Sequence, residues 1–225
     1  MLDARQRVEL PISVGCSSAR NRSGGRNIQA LRIIEDEHRS LAAVIHGMLH
    51  MVREIRERGA KPNFEAFGAI VYYIDAFPER FHHPKEDRYL FRLLRLRCPQ
   101  AGALLDRLEE EHRIGAHKIR TLEQALARYQ AGGDGEFPYF AAAVDDYAEF
   151  HWKHMGAEEN EVLPLAKEHL TKEDWDAIDA AFLGHADPLV GIEAGTEFRG
   201  LFRRIVNLAP PPIGLGPEPK ARRSG

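Results

Sequence analysis

Phe81-His82-His83-Pro84-Lys85-Glu86-Asp87 and His154-Met155-Gly156-Ala157-Glu158 carry one device twice: a histidine with a glutamate four residues later. At about 100° per residue, an α-helix stacks such a pair one turn apart on the same face. The face is otherwise apolar, and that decides the fold. Around His82 and Glu86 it includes Phe67, Val71, Ile74, Phe77, Tyr89 and Leu93, in a helix that Asn63 caps and Cys98-Pro99 closes. Pro78 and Pro84 predict a kink or a broken turn within it. Around His154 and Glu158 the face is Phe140, Val144, Tyr147, Val162 and Leu165, in a helix from about Phe137 to His169.

Two further helices have the same character. Leu31, Ile34, Leu41, Ile45, Leu49, Val52 and Ile55 recur at helical spacing from about Ile28 to Arg58, where Gly59 is a stop. Leu105, Leu108, Ile119, Leu122 and Leu126 do so from about Gln100 to Gln130, before the turn Gly132-Gly133-Asp134-Gly135. Four long amphipathic helices with short connections predict an all-α, up-down-up-down four-helix bundle over residues 28–170. Residues 1–27 read as a disordered or extended arm. Thr171 and Asp174 resemble a capping box opening a helix to about Leu183, and Thr196 to Asn207 reads as another, so 171–208 is a short helical extension. Residues 209–225 form a Pro-rich tail.

Composition excludes several classes. The chain has 225 residues, 44% of them hydrophobic, enough for one sizeable core. Lys+Arg 31 against Asp+Glu 34 argues against a nucleic-acid module driven by phosphate neutralisation. No apolar run approaches the roughly 18 residues of a membrane span. The first 27 residues show no export signal, and Cys16 and Cys98 form neither a disulfide scaffold nor a CxxC metal motif, so a reducing cytoplasm is expected. Eleven histidines are the unusual feature.

One histidine per helix lies on the apolar face: His38, His82, His112 and His154, with His83 at the flank. His38 and His82 lie at similar distances from the Gly59 turn, as His112 and His154 do from the Gly132-Gly133 turn, so antiparallel helices bring all four to one level. Five imidazoles and the carboxylates of Glu86 and Glu158 in a dry interior are costly as bare polar groups, and a metal removes that cost. Seven ligands exceed one tetrahedral zinc. Two octahedral irons bridged by the two carboxylates use them all and leave a position for a small ligand. Since a ligating histidine must be neutral, affinity is expected to fall as pH drops through roughly 6. His117 and His151 stay open as replacements or as neighbours of the ligands. His46, His50, His169 and His185 read as solvent-exposed. Asp87, Glu159 and Glu161 read as surface or as support for the ligands, Glu109-Glu110-Glu111 as a solvated run with Glu109 nearest the stripe, and Tyr89 and Tyr147 as core.

Glu37-His38-Arg39, Phe81 to Asp87, Glu111-His112 and His154 to Pro164 together resemble the hemerythrin-like, or HHE cation-binding, domain family over about residues 28 to 170. The resemblance implies a four-helix bundle holding an oxo- or hydroxo-bridged di-iron centre, with O2 binding, NO or peroxide response, or iron and oxygen sensing. His112 is followed by His117 rather than by the HxxxH of the oxygen carriers, and the His82-His83 pair supplies an extra imidazole, which resembles the sensor-like branch. Three functions are therefore expected. The first is a binder of O2, NO or a related small oxidant that serves in sensing, carriage or iron handling. The second is a di-iron peroxidase or catalase-like enzyme. The third is a metal-stapled scaffold whose termini dock a protein partner.

Overall fold

A computed structural model of the chain describes residues 28–184. The arm at 1–27, the helix expected over Thr196 to Asn207, the Pro-rich tail and His185 lie outside the described residues. Within them the fold is an all-α four-helix bundle with no strand element. No described helix is long and apolar enough to cross a membrane.

The first arm is a single helix, Gln29–Arg58, closed by Gly59 at φ 63°. Only a residue without a Cβ adopts that left-handed conformation without strain, and its N–H returns to the carbonyls of Glu54 and Ile55. The second arm starts where the Asn63 side chain accepts the Ala66 N–H at 3.0 Å. It runs as an α-helix, Phe64–Ile74, then as π-helical turns over Asp75–His82 and Glu86–Phe91 around one α-turn, and ends as Arg92–Arg97. Where a kink or broken turn was expected, the α-helical ladder is interrupted and the arm widens. Pro78 has no N–H to give to the ordinary helical ladder, and the π turns absorb the mismatch. The third arm is Gly102–Gly132. The fourth is Phe137–Ala157 continued through a π segment, Glu158–Val162, into Leu163–His169.

The extra residues of the π turns rotate the rest of the second arm about its axis. Tyr89, expected on the apolar side, is 38% exposed, whereas Leu90 and Phe91 are buried in its place. Arms one and two, two and three, three and four, and four and one are neighbours, so the bundle closes on itself.

Two apolar clusters fill the interior. One, with Ile45, Met48, Phe67, Ile70, Leu122, Tyr129, Phe140 and Val144, lies toward the Gly59 and Gly132 turns. The other contains Ile34, Leu94, Leu105, Leu108, Val162 and Leu163. Between them every arm carries polar residues: His38 separates Ile34 from Leu41, and His112 separates Leu108 from Ile119. The bundle thus holds one polar layer between two apolar ones.

A short helix, Lys172–Leu183, closes the second cluster. Its capping box is formed, with Thr171 and Asp174 bonding reciprocally. Trp175, Ile178 and Phe182 sink into the cluster, and the Arg97 guanidinium donates to both oxygens of Asp174 at 2.7 and 3.1 Å. Asp179 accepts the Ala30 N–H at 2.7 Å, capping an otherwise orphaned donor at the start of the first arm.

Candidate metal centre

All seven candidate ligands lie in the polar layer, each at most 6% exposed. They fall into overlapping groups whose ligand atoms lie within 4.8 Å of one another: His38, His82 and Glu86; His83, His112 and His154; and Glu86, His112 and Glu158. The two glutamates sit between the imidazoles. His82 Nε2 is 3.3 Å from Glu86, His154 Nε2 is 3.3 Å from Glu158, and His38 Nε2 lies 3.3 Å from Glu158 and 4.0 Å from Glu86. His112 Nε2 approaches Glu86 at 3.6 Å and Glu158 at 3.5 Å.

These separations exceed a charge-assisted hydrogen bond of about 2.7–2.9 Å. Two atoms each ~2.1 Å from a shared ion lie between ~3 Å and ~4 Å apart, depending on the angle between them. Both oxygens of Glu86 and of Glu158, and the Nε2 atoms of His112 and His154, are buried with no hydrogen-bond partner. Native interiors rarely leave so many orphaned polar atoms at one point. The residues fit a metal.

In four of the five candidate histidines the opposite ring nitrogen is engaged. His82 Nδ1–H donates to Glu37 at 2.6 Å, His112 Nδ1–H to Asp87 at 2.7 Å, His154 Nδ1–H to Glu111 at 2.9 Å and His38 Nδ1–H to Glu159 at 3.0 Å. The pattern is cyclic. The first arm supplies the carboxylate for the second arm's histidine, the second for the third, the third for the fourth and the fourth for the first. Each bond fixes a ring's orientation, directs its Nε2 inward and raises its basicity, which is what a metal-ligating histidine requires.

His83 lies outside this ring. It stacks on His112 with centroids 4.3 Å apart, and its Nδ1 faces Glu79 on its own arm at 3.4 Å.

Electrostatics separate the histidines. Burial works against a charge on His38, but the Glu158 carboxylate 3.3 Å away and the bond to Glu159 outweigh it and raise its pKa to about 9. Burial likewise opposes charge on His112, and Asp87 and Glu158 lift it to about 10. His82 is raised well above its ordinary value, burial being overcome by Glu86 and Glu37. His83 moves the other way: burial, then the neighbouring His112 and His154, push it well below. Burial alone would raise Glu158, but the His154 charge and the nearby imidazoles of His112 and His38 hold it well below the usual carboxylate range.

Of the two histidines left open, His117 is exposed, its Nδ1 accepting from Arg120 at 2.9 Å. His151 is fully buried but turned from the glutamate pair: its Nδ1–H donates to the Tyr147 carbonyl at 3.2 Å. His46 is exposed as expected, whereas His50 and His169 are half-buried. In the Glu109-Glu110-Glu111 run it is Glu111 that reaches inward to His154, while Glu109 pairs with Arg95 on the flank.

Two residues at the site, Glu37 and Glu79, lie outside the expectations from sequence. Glu37 had a signal. It precedes His38 as Glu111 precedes His112, and Asp87 and Glu159 follow Glu86 and Glu158. An acid beside an inward ligand is rotated by about 100° and so faces the adjacent helix. Glu79 had a signal too: it stands four residues before His83, the spacing that stacks two side chains on one face of a helix.

The family model for the hemerythrin HHE cation binding domain matches residues 29–166, and the chain belongs to that family. It is thus a cation-binding domain whose histidine and glutamate clusters fit a metal site. Comparison with curated proteins and with solved structures returned no match.

Proposed function

We propose that the chain is a non-haem di-iron protein that binds O2, NO or a related small oxidant and serves in sensing, carriage or iron handling. In this reading His38 and His82 would hold one iron and His83, His112 and His154 the other, with Glu86 and Glu158 shared between them. The ion with two imidazoles keeps a position for the small ligand. Bound iron supplies reversible coordination of such a molecule and one-electron redox chemistry. The supporting residues fix the geometry: Glu37, Asp87, Glu111 and Glu159 hold the imidazoles, and the apolar clusters above and below exclude water. Residues 28–170 form the metal-holding unit, and the later helix closes one end.

The cyclic ring of carboxylate–histidine bonds carries this reading. A structural polar layer has no need to turn four Nε2 atoms toward two unpartnered carboxylates. The test is anaerobic iron loading with metal analysis and optical spectra before and after O2, NO and azide. Two irons per chain, with charge-transfer bands that shift on ligand addition, are expected, and His82→Ala and Glu158→Ala abolish both. His83→Ala alters azide binding with little effect on folding. One ion per chain, or bands indifferent to all three ligands, would refute the proposal.

A further inference from the structure

Beside the site lies a second buried polar pair with no place in the ligand set. Tyr147 is completely buried, and its hydroxyl is 3.2 Å from His151 Nε2. The tautomer is settled by chemistry. The Tyr147 carbonyl can only accept, so His151 Nδ1 carries the proton and Nε2 is left as the acceptor for the phenol. The two rings stack with centroids 4.1 Å apart. The imidazole is next in line to two candidate ligands, with ring centroids 6.3 Å from both His83 and His154. A phenylalanine and a leucine would fill this volume without desolvating two polar groups.

We propose that Tyr147 and His151 are a built-in hydrogen-atom store for the metal site: Tyr147 yields one electron to hydrogen peroxide reduced there, and its phenolic proton passes to His151 Nε2. This rests on the reading of the site as a redox-active metal centre and extends it to one-electron peroxide reduction. The O–H bond of Tyr147 breaks, an N–H bond forms on His151, and the products are a neutral phenoxyl radical and an imidazolium. An external one-electron donor of the phenol or enediol class then reduces the radical, and the proton returns from His151. Two such turns supply two electrons, and the two donor molecules release two protons, so that one H2O2 and two donors give two waters and two oxidised donors.

The environment suits the step. Burial, with Glu79 and Asp75 nearby, raises the phenol well above its ordinary pKa, so it does not ionise in advance. Electron loss therefore needs a proton acceptor already in place, and His151 is one: burial, then the neighbouring His154, push its pKa down to about 3, so the ring is neutral with Nε2 free to accept, and the imidazolium it forms gives the proton back readily.

The test uses the full chain loaded with iron, its metal content and bands verified first, then mixed with hydrogen peroxide and freeze-quenched for electron paramagnetic resonance. A radical signal whose hyperfine structure collapses on ring deuteration of tyrosine is expected. Tyr147→Phe removes it at unchanged iron content, Tyr129→Phe retains it, and His151→Leu lowers its yield at least tenfold. No radical in the loaded protein, or a signal that survives Tyr147→Phe, overturns the proposal. A chain that takes up no iron refutes the di-iron reading instead, and photo-oxidation of the metal-free protein then decides the pair. Oxidation of Tyr147 that drops at least tenfold in His151→Leu supports the store, and oxidation indifferent to that change overturns it.

Discussion

Metal uptake by this site must displace protons, and the structure gives a minimum number. In the metal-free protein His38 and His112 have pKa values of about 9 and about 10. Their Nδ1–H groups are bonded to Glu159 and Asp87, so the proton that titrates is the one on Nε2, where a metal would bind. At pH 7 the two rings lie about two and about three pH units below their pKa values. Deprotonating them weakens the apparent affinity by about a hundredfold and a thousandfold, together ~7 kcal/mol. The sign is fixed: affinity rises with pH, by at least about a hundredfold per unit up to pH 9 and at least tenfold per unit from 9 to 10, and His82, whose pKa is also raised and whose Nδ1–H is held by Glu37, adds to the slope. The transition therefore lies above the value near 6 expected from an ordinary histidine. The metal-free protein behaves oppositely. A raised histidine pKa contributes stability that is complete below about 6.5 and is lost as pH rises through 9 to 10. Calorimetric titration with Zn(II), as a redox-inert probe, in two buffers of different ionisation enthalpy counts the protons directly. At least two per loaded site are expected at pH 7, and fewer in Asp87→Asn and in Glu159→Gln. Release of less than one proton, or an affinity flat from pH 7 to 9, would refute the assignment of these Nε2 atoms to the metal.

Three further outcomes are expected. Glu37→Ala and Glu111→Ala each weaken metal affinity by about 10–100-fold with helicity unchanged, because His82 and His154 lose the bonds that orient them; unchanged affinity in equilibrium titration would remove these carboxylates from the site. Phe182→Ala lowers stability by about 3–5 kcal/mol in urea unfolding, since the ring is fully buried against the second apolar cluster, and a loss under 1 kcal/mol would mean that the last helix does not unfold with the bundle. Gly59→Ala costs about 1–2 kcal/mol by the same assay through its left-handed backbone alone, so metal affinity measured beside it stays constant.

The bundle was legible in the sequence because helical spacing is a local signal that accumulates over thirty residues. The seven inward groups were legible because turn positions set their heights. Two things were not. The first was the π-helical register: it depends on how Pro78 and its neighbours redistribute hydrogen bonds within a packed rod, and it exposed Tyr89. The second was any relation between arms. Periodicity says that Glu37 lies about 100° from His38, but only the order of packing around the bundle says that it meets His82. That cyclic arrangement bears on the function. Each carboxylate belongs to one arm and each imidazole to the next, so a movement of one arm shifts an Nε2 in its neighbour. Conversely, a ligand that changes the charge at the metal alters the strength of all four bonds between arms. A polar layer built in this way couples what binds at its centre to the packing of the whole bundle, which is the physical requirement for a sensor.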